Sequence, residues 1–285
     1  MIKIGLRAHD MGKYALIDFP ELLKLIKSLD GQCIQLALGK SFNEFNISKE
    51  NLNNELSQYF KRNLENENIN LSVLGCYINM GNPDTHIRNK EIEKFKYHLD
   101  FSKNFSGCIV GTETGCLSTD YTYTPLNDTD EAFNIFLDTL KKLVSYAEKT
   151  QTLVAIEGVK KHIISTPEKL NLALTTVSSK NLKVIFDPVN FLDVTNFQNQ
   201  KEIIEKSFEL FADKIAIIHI KDFKIENNIF KVVPIGQGIF DMDTLMKCIE
   251  KYNLKVDLLL ENSSVETAKE CIYFTKNSYK NNKNI

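Results

Sequence analysis

The sequence has no excess charge of either sign. Its 35 lysines and arginines stand against 37 aspartates and glutamates, a formal net of −2, which offers no net attraction to nucleic acid or to an anionic membrane. It has no apolar run approaching the roughly 18 residues of a membrane span. The opening MIKIGLRAHD lacks a basic n-region, an apolar h-region and a small-residue cleavage site. These absences predict a soluble, cytoplasmic protein with no membrane and no nucleic-acid partner. No CxxC pair occurs among Cys33, Cys76, Cys108, Cys116, Cys248 and Cys271, so reduced, scattered thiols are expected. The GQG at 236–238 lacks the spacing of a dinucleotide fold or a P-loop and reads as a loop-shaping element. No Ser-His-Asp order and no Cys-His pair stands out for nucleophilic catalysis.

What the chain does have is alternation. With 43% hydrophobic and 25% charged residues it can bury a full-size core. Eight short apolar, β-rich runs begin near Ile2, Gln32, Asn70, Gly107, Thr152, Lys183, Ile215 and Val256. Successive starts lie about 30 to 45 residues apart, enough for a strand, a crossover helix and two loops. Between them, apolar residues recur every three or four positions. After Asp130 and Glu131, for example, Phe133, Phe136, Leu137, Leu140, Leu143, Val144 and Ala147 form one stripe, and the two acids sit where a helix dipole favours them. Thr166-Pro167-Glu168 supplies an N-cap followed by proline at the first helical position. Eight such βα units, with no linker or internal repeat, predict the α/β class and a single (β/α)8 TIM barrel over residues 1–285. Two long loops, 117–130 and 221–238, follow strands and so belong to the face where such barrels place their sites. The polar tail NSYKNNKNI is expected to fray.

A buried parallel strand normally stays apolar, so a charged residue closing one needs a partner. Four consecutive runs close that way: LVAIE at Glu157, VIFD at Asp187, IIHI with His219 and LLLE at Glu261. Neighbouring barrel strands would gather three carboxylates and an imidazole at one mouth, where like charges force protons onto some of them unless a cation intervenes. These residues are the candidate ligands of one divalent ion. Three oxygens and a nitrogen suit Mn(II), with Mg(II), Co(II) or a water-retaining Zn(II) as alternatives. Arg7 and His9 close the first run, Glu113 closes the fourth, and Lys221 follows His219 by two residues and so shares its face. All four are candidate substrate contacts, the cations for a phosphate, a carboxylate or an enediolate oxygen. His162 reads as a surface histidine. Tyr77 and Asn79 line the pocket in one strand register, Cys76 and Ile78 in the other.

The ordered elements VAIEGV, VIFDPVN, IIHIKD, VPIGQGIFD and LLLEN, with GCYINMGNPD and VGTETG before them, resemble the xylose isomerase-like barrel superfamily along nearly the whole chain. The resemblance is to its sugar phosphate isomerase/epimerase branch in particular. It implies a metal held by Glu157, Asp187, His219 and Glu261, with a sugar's adjacent oxygens completing the coordination. It also implies that Glu157 and Glu261 exchange protons with a substrate carbon from opposite faces. The expected function is a metal-dependent isomerase or epimerase of a small sugar or sugar phosphate, working through a metal-stabilised enediolate. A lyase of the inosose dehydratase type is the alternative within enzymes. Endonuclease IV-like DNA repair and a non-catalytic carbohydrate-binding barrel are the alternatives from other classes. Asn190 stands where ketose epimerases and endonuclease IV enzymes generally carry histidine; it is a candidate contact for a substrate hydroxyl but no comparable metal ligand. The five histidines are too few at strand ends for the endonuclease zinc cluster. A small carbohydrate is the expected partner, and a homo-oligomer is compatible with this reading.

Overall fold

The apolar runs form strands β1 (Ile4–Arg7), β2 (Cys33–Leu36), β3 (Asn70–Gly75), β4 (Ile109–Glu113), β5 (Val154–Glu157), β6 (Leu182–Phe186) and β7 (Ile215–Ile220). A hairpin of β8 (Asp222–Glu226) and β9 (Ile229–Val233) comes next, and β10 (Asp257–Leu260) is the last strand. The computed structural model describes residues 2–282. Its barrel strands are all parallel to their neighbours and close in the order β1-β10-β7-β6-β5-β4-β3-β2, so the first and last strands complete the ring. The predicted single (β/α)8 barrel is the fold observed.

Each barrel strand is followed by a helix that packs outside the ring. These are α1 (Phe19–Ser28), α3 (Asn54–Glu67), α4 (Thr85–Ser102), α5 (Asp130–Thr150), α6 (Pro167–Thr176), α7 (Gln200–Phe211), α8 (Met242–Lys251) and α9 (Ala268–Asn282), with a single turn, α2 (Leu38–Ser41), inserted after β2. Their starts follow from local chemistry. Thr166 caps α6 by accepting from Lys169 N at 3.2 Å, with Pro167 supplying the first helical φ. Asp241 does the same for α8 through Thr244 N at 3.0 Å. The stripe foreseen on α5 is buried from Phe136 to Ala147, while Phe133 packs partly buried at its edge.

Inside the ring, Cys33, Val73, Ile109, Ala155, Ile185, Ile217 and Leu259 form a separate layer. Gly111 leaves room for it, since a Cβ there would stand 2.5 Å from Ile185 Cδ1. Truncating Ile185 to alanine would open a void in this layer at a cost of about 2–5 kcal/mol.

Two expectations are corrected. The stretch 221–238 is mostly an antiparallel hairpin rather than an open loop, with Asn227 and Asn228 in its turn at φ of 50° and 61°. Its exit is pinned by the buried Asp222 carboxylate, which accepts from Gly236 N at 3.0 Å and from Gly238 N and Phe240 N at 2.8 Å each. That is the loop-shaping role expected of GQG. The tail continues as helix to Asn282, because a stripe of Ala268, Cys271, Ile272 and Thr275 suffices to dock α9; residues 283–285 lie outside the described residues. All six cysteines are free and buried. Among the described residues no helix is long and apolar enough to cross a membrane.

Candidate metal and substrate site

Side chains alternate along a strand, so the residue two places beyond an inward-facing one faces inward again, nearer the mouth. Two residues beyond Cys33, Ala155, Ile185, Ile217 and Leu259 stand Gln35, Glu157, Asp187, His219 and Glu261, and two beyond Gly5 stands Arg7. Four beyond Val73 and Ile109 stand Tyr77 and Glu113. The barrel's own packing register therefore aims these groups at one place. Glu157, Asp187, His219 and Glu261 are each at most 4% exposed, and one ligand-type atom from each lies within 4.8 Å of the others.

His219 Nδ1 lies 3.2 Å from Glu157 Oε1 and 3.0 Å from Glu261 Oε1, while its Nε2 lies 2.7 Å from Gln35 Oε1. Lys221, the next residue inward after His219, places Nζ 2.8 Å from Asp187 Oδ2 and 2.9 Å from Glu261 Oε2, and donates to Asn190 Oδ1 at 2.6 Å. Asn190 in turn donates Nδ2–H to Glu157 Oε1 at 2.8 Å. Arg7 donates to Glu261 Oε1 at 2.7 Å and is steadied by Asp10, whose two oxygens each lie 3.0 Å from a guanidinium nitrogen.

Burial disfavours charge on every one of these groups, and their mutual proximity decides the outcome. Burial alone would raise the Glu261 carboxyl, but Lys221, His219 and Arg7 outweigh it and hold its pKa well below the usual carboxylate range. Asp187 is pushed up to about 6 by burial, with Lys221 opposing and the two glutamates adding to the rise. Burial would lower His219, yet Glu157 and Glu261 carry it up to about 10. Burial would likewise lower Lys221, and Asp187, Glu261 and Glu157 raise it instead.

The cluster suits a divalent cation. Asp187 Oδ1 accepts from Val189 N and Asn190 N at 2.9 and 3.1 Å, while Oδ2 is buried without an aligned hydrogen bond and faces the other donors. Three carboxylates with a single imidazole form a mainly hard, oxygen-rich donor set, and this buried group could hold such an ion.

The remaining candidates sit around this centre. Glu113 accepts from Tyr121 OH at 3.3 Å, and its pKa is raised by burial and by Glu261. His162 is not a surface residue: it is 9% exposed, its ring stands edge-on to Tyr121 at 5.3 Å, and its Nε2 is 3.8 Å from Glu113 Oε2. His9 is half-buried in a 3₁₀ turn after β1, its Nδ1 has no hydrogen bond, and burial with Arg7 and Lys40 lowers its pKa to about 3. Tyr77 points into the mouth, with its OH 2.8 Å from Gln35 Nε2 and its ring 3.6 Å below Lys40 Nζ. Asn79 instead pins loops, accepting from Cys116 N at 2.9 Å and donating to Ser118 O at 2.7 Å. Gln35, Asp10, Lys40 and Tyr121 were not singled out in the sequence.

Residues 23–275 match the profile of the xylose isomerase-like TIM barrel family. The chain belongs to this family. A Haemophilus influenzae protein that carries the name L-ribulose-5-phosphate 3-epimerase SgbU aligns at 26% identity over 185 residues, 64% of this chain and 60% of that one. A solved D-tagatose 3-epimerase-like protein superposes with a TM-score of 0.78 at 15% identity over 99% of both chains. The IolI protein, solved with a zinc atom, superposes with a TM-score of 0.71 at 20% identity, covering 97% of this chain and 96% of that one. At such identities the two structures establish a shared fold. In this member of the xylose isomerase-like family, the polar strand ends and the Lys221–Asn190–Glu157 bridge fill the mouth on which the barrel strands converge.

Proposed function

We propose that the protein is a metal-dependent epimerase or isomerase of a small ketose or ketose phosphate, with Glu157, Asp187, His219 and Glu261 holding one divalent ion, Mn(II) in the first instance. The observation that carries this is the convergence of those four buried donors within 4.8 Å of one another. The L-ribulose-5-phosphate 3-epimerase name of the aligned relative supports a five-carbon ketose phosphate as the first substrate to try. A bound divalent ion supplies Lewis-acid polarisation of the sugar oxygens it coordinates.

The chain's own groups do the rest. Glu157 is assigned proton removal because Glu261 has Arg7 on one oxygen and Lys221 on the other, whereas Glu157 Oε1 accepts from the neutral amide of Asn190. Glu157 takes the proton from the carbon beside the carbonyl, and the opposite face receives one through Glu261, supplied to that carboxylate by the Lys221 ammonium 2.9 Å from its Oε2; delivery to that face inverts the centre. Arg7, His9, Glu113, Asn190 and Lys221 surround the substrate's remaining oxygens.

The test is turnover of ketopentoses and their phosphates by Mn(II)-loaded protein in deuterated water. Epimerisation with deuterium incorporated at the inverted carbon is the expected result. Loss of water to give an enone or diketone would move the assignment to a dehydratase, and absence of exchange across the panel counts against proton transfer to these sugars.

A further inference from the structure

We propose that Gln35 is a positioning residue for the ion site: it holds the Nε2 proton of His219 and so presents Nδ1, the nitrogen among the carboxylates, as the metal ligand. The proposal rests on the metal reading above. Gln35 belongs to β2 and His219 to β7, three strands apart around the ring. Both are buried, at 2% and 0% exposed, and Gln35 Oε1 is the acceptor at Nε2. An amide oxygen has no proton to give, so its approach to 2.7 Å requires the imidazole to carry hydrogen on Nε2. The other end of the amide is engaged as well, donating to Tyr77 OH at 2.8 Å, which keeps the oxygen turned toward His219. Nδ1, 3.2 Å from Glu157 Oε1 and 3.0 Å from Glu261 Oε1, carries the second proton of the metal-free imidazolium, and a cation among the carboxylates would take that proton's place. Metal-binding histidines commonly donate their second N–H in this way, and losing the acceptor costs about 10–100-fold in metal affinity.

The choice of a neutral acceptor also follows from the surroundings. Three carboxylates already meet here, and a fourth anion behind His219 would strengthen its grip on a metal while destabilising the metal-free fold.

Calorimetric titration with Mn(II) alone tests this, on wild type, Gln35→Leu and Gln35→Glu. Leucine keeps the volume and removes the acceptor; glutamate keeps the acceptor. The Mn(II) Kd is expected to rise about 10–100-fold in Gln35→Leu and to stay level or fall in Gln35→Glu, even as the metal-free Gln35→Glu protein melts at a lower temperature. A packing role predicts the reverse order, with leucine tolerated, and that result overturns the proposal. Nitrogen-15 spectra of the metal-free wild type read the imidazole directly: hydrogen on Nε2 of His219 is expected, and hydrogen on Nδ1 alone overturns the proposal whether or not either variant folds. Failure of wild type to bind Mn(II) is a different result, which removes the metal reading and this inference together.

Discussion

Asn190 joins Glu157 to Lys221, giving its amide N–H to Glu157 Oε1 at 2.8 Å and taking a hydrogen bond from Lys221 Nζ at 2.6 Å. One neutral side chain thus orients both a candidate base and the lysine that neutralises Asp187 and Glu261. Removing it in Asn190→Ala frees both. Hydrogen bonds to charged groups are worth about 1.5–3 kcal/mol, so kcat/KM for the ketose substrate is expected to fall about 10–100-fold. Steady-state kinetics with unchanged values would show the bridge to be idle.

The glutamates differ in their neighbours, and their amide variants should differ in kind. Glu157→Gln and Glu261→Gln are each expected to lose about 10²–10⁴ in kcat. Solvent exchange into substrate should vanish in Glu157→Gln, the variant lacking the carboxylate assigned to proton removal. Turnover within a few-fold of wild type in either variant would remove that glutamate from proton transfer.

Ion binding should appear as stability. At free Mn(II) near 100 times its Kd, linkage contributes about 2.7 kcal/mol, a Tm rise of about 5 °C for a chain of this size. Chelator-treated protein should lose that increment and regain it on reconstitution. Asp187→Asn, which weakens the donor set at its most buried carboxylate, should show no rise in a melting scan with and without Mn(II).

Far from the site, His98 predicts an acid-sensitive fold. It is fully buried in α4, donates from Nδ1 to Lys94 O at 2.8 Å, and leaves Nε2 buried without a partner. Burial lowers its pKa from 6.5 to about 4. The unfolded imidazole therefore takes up a proton as pH falls through about 6.5 and the folded one does so near 4. The stability involved is whole above that window and is lost on descending through it, to the order of 3 kcal/mol. His9 and His162 are lowered too and act in the same direction. Urea unfolding between pH 7 and 4 should show a shallower decline for His98→Leu than for wild type; equal slopes would mean that His98 is not buried neutral.

The barrel and the gathering of Glu157, Asp187, His219 and Glu261 were legible because each depends on a pattern that repeats. Eight apolar runs set the ring, and polar endings on four successive runs are hard to reconcile with burial unless they meet. Gln35 was not legible, since a glutamine within CIQLAL looks like any strand residue until the interior layer places it beside His219. Tyr77 and Asn79 awaited the register, which sends the first into the mouth and the second to the loops. The hairpin did carry a signal: Asn227 and Asn228 stand between the β-rich runs FKI and IFKVV, and paired left-handed residues favour the tight turn found there. His162 was misplaced because the lysines beside it suggested solvent, whereas the loop folds its ring against Tyr121.

Ring closure also sets a schedule for the newborn chain. Arg7 and Glu261 meet across 254 positions of sequence, and β10 inserts between β1 and β7 as the last strand made. On the ribosome, every donor but one is already synthesised while the keystone is still missing. Until Glu261 emerges behind β10, the proposed chelate lacks one of its four donors and has no finished site to load.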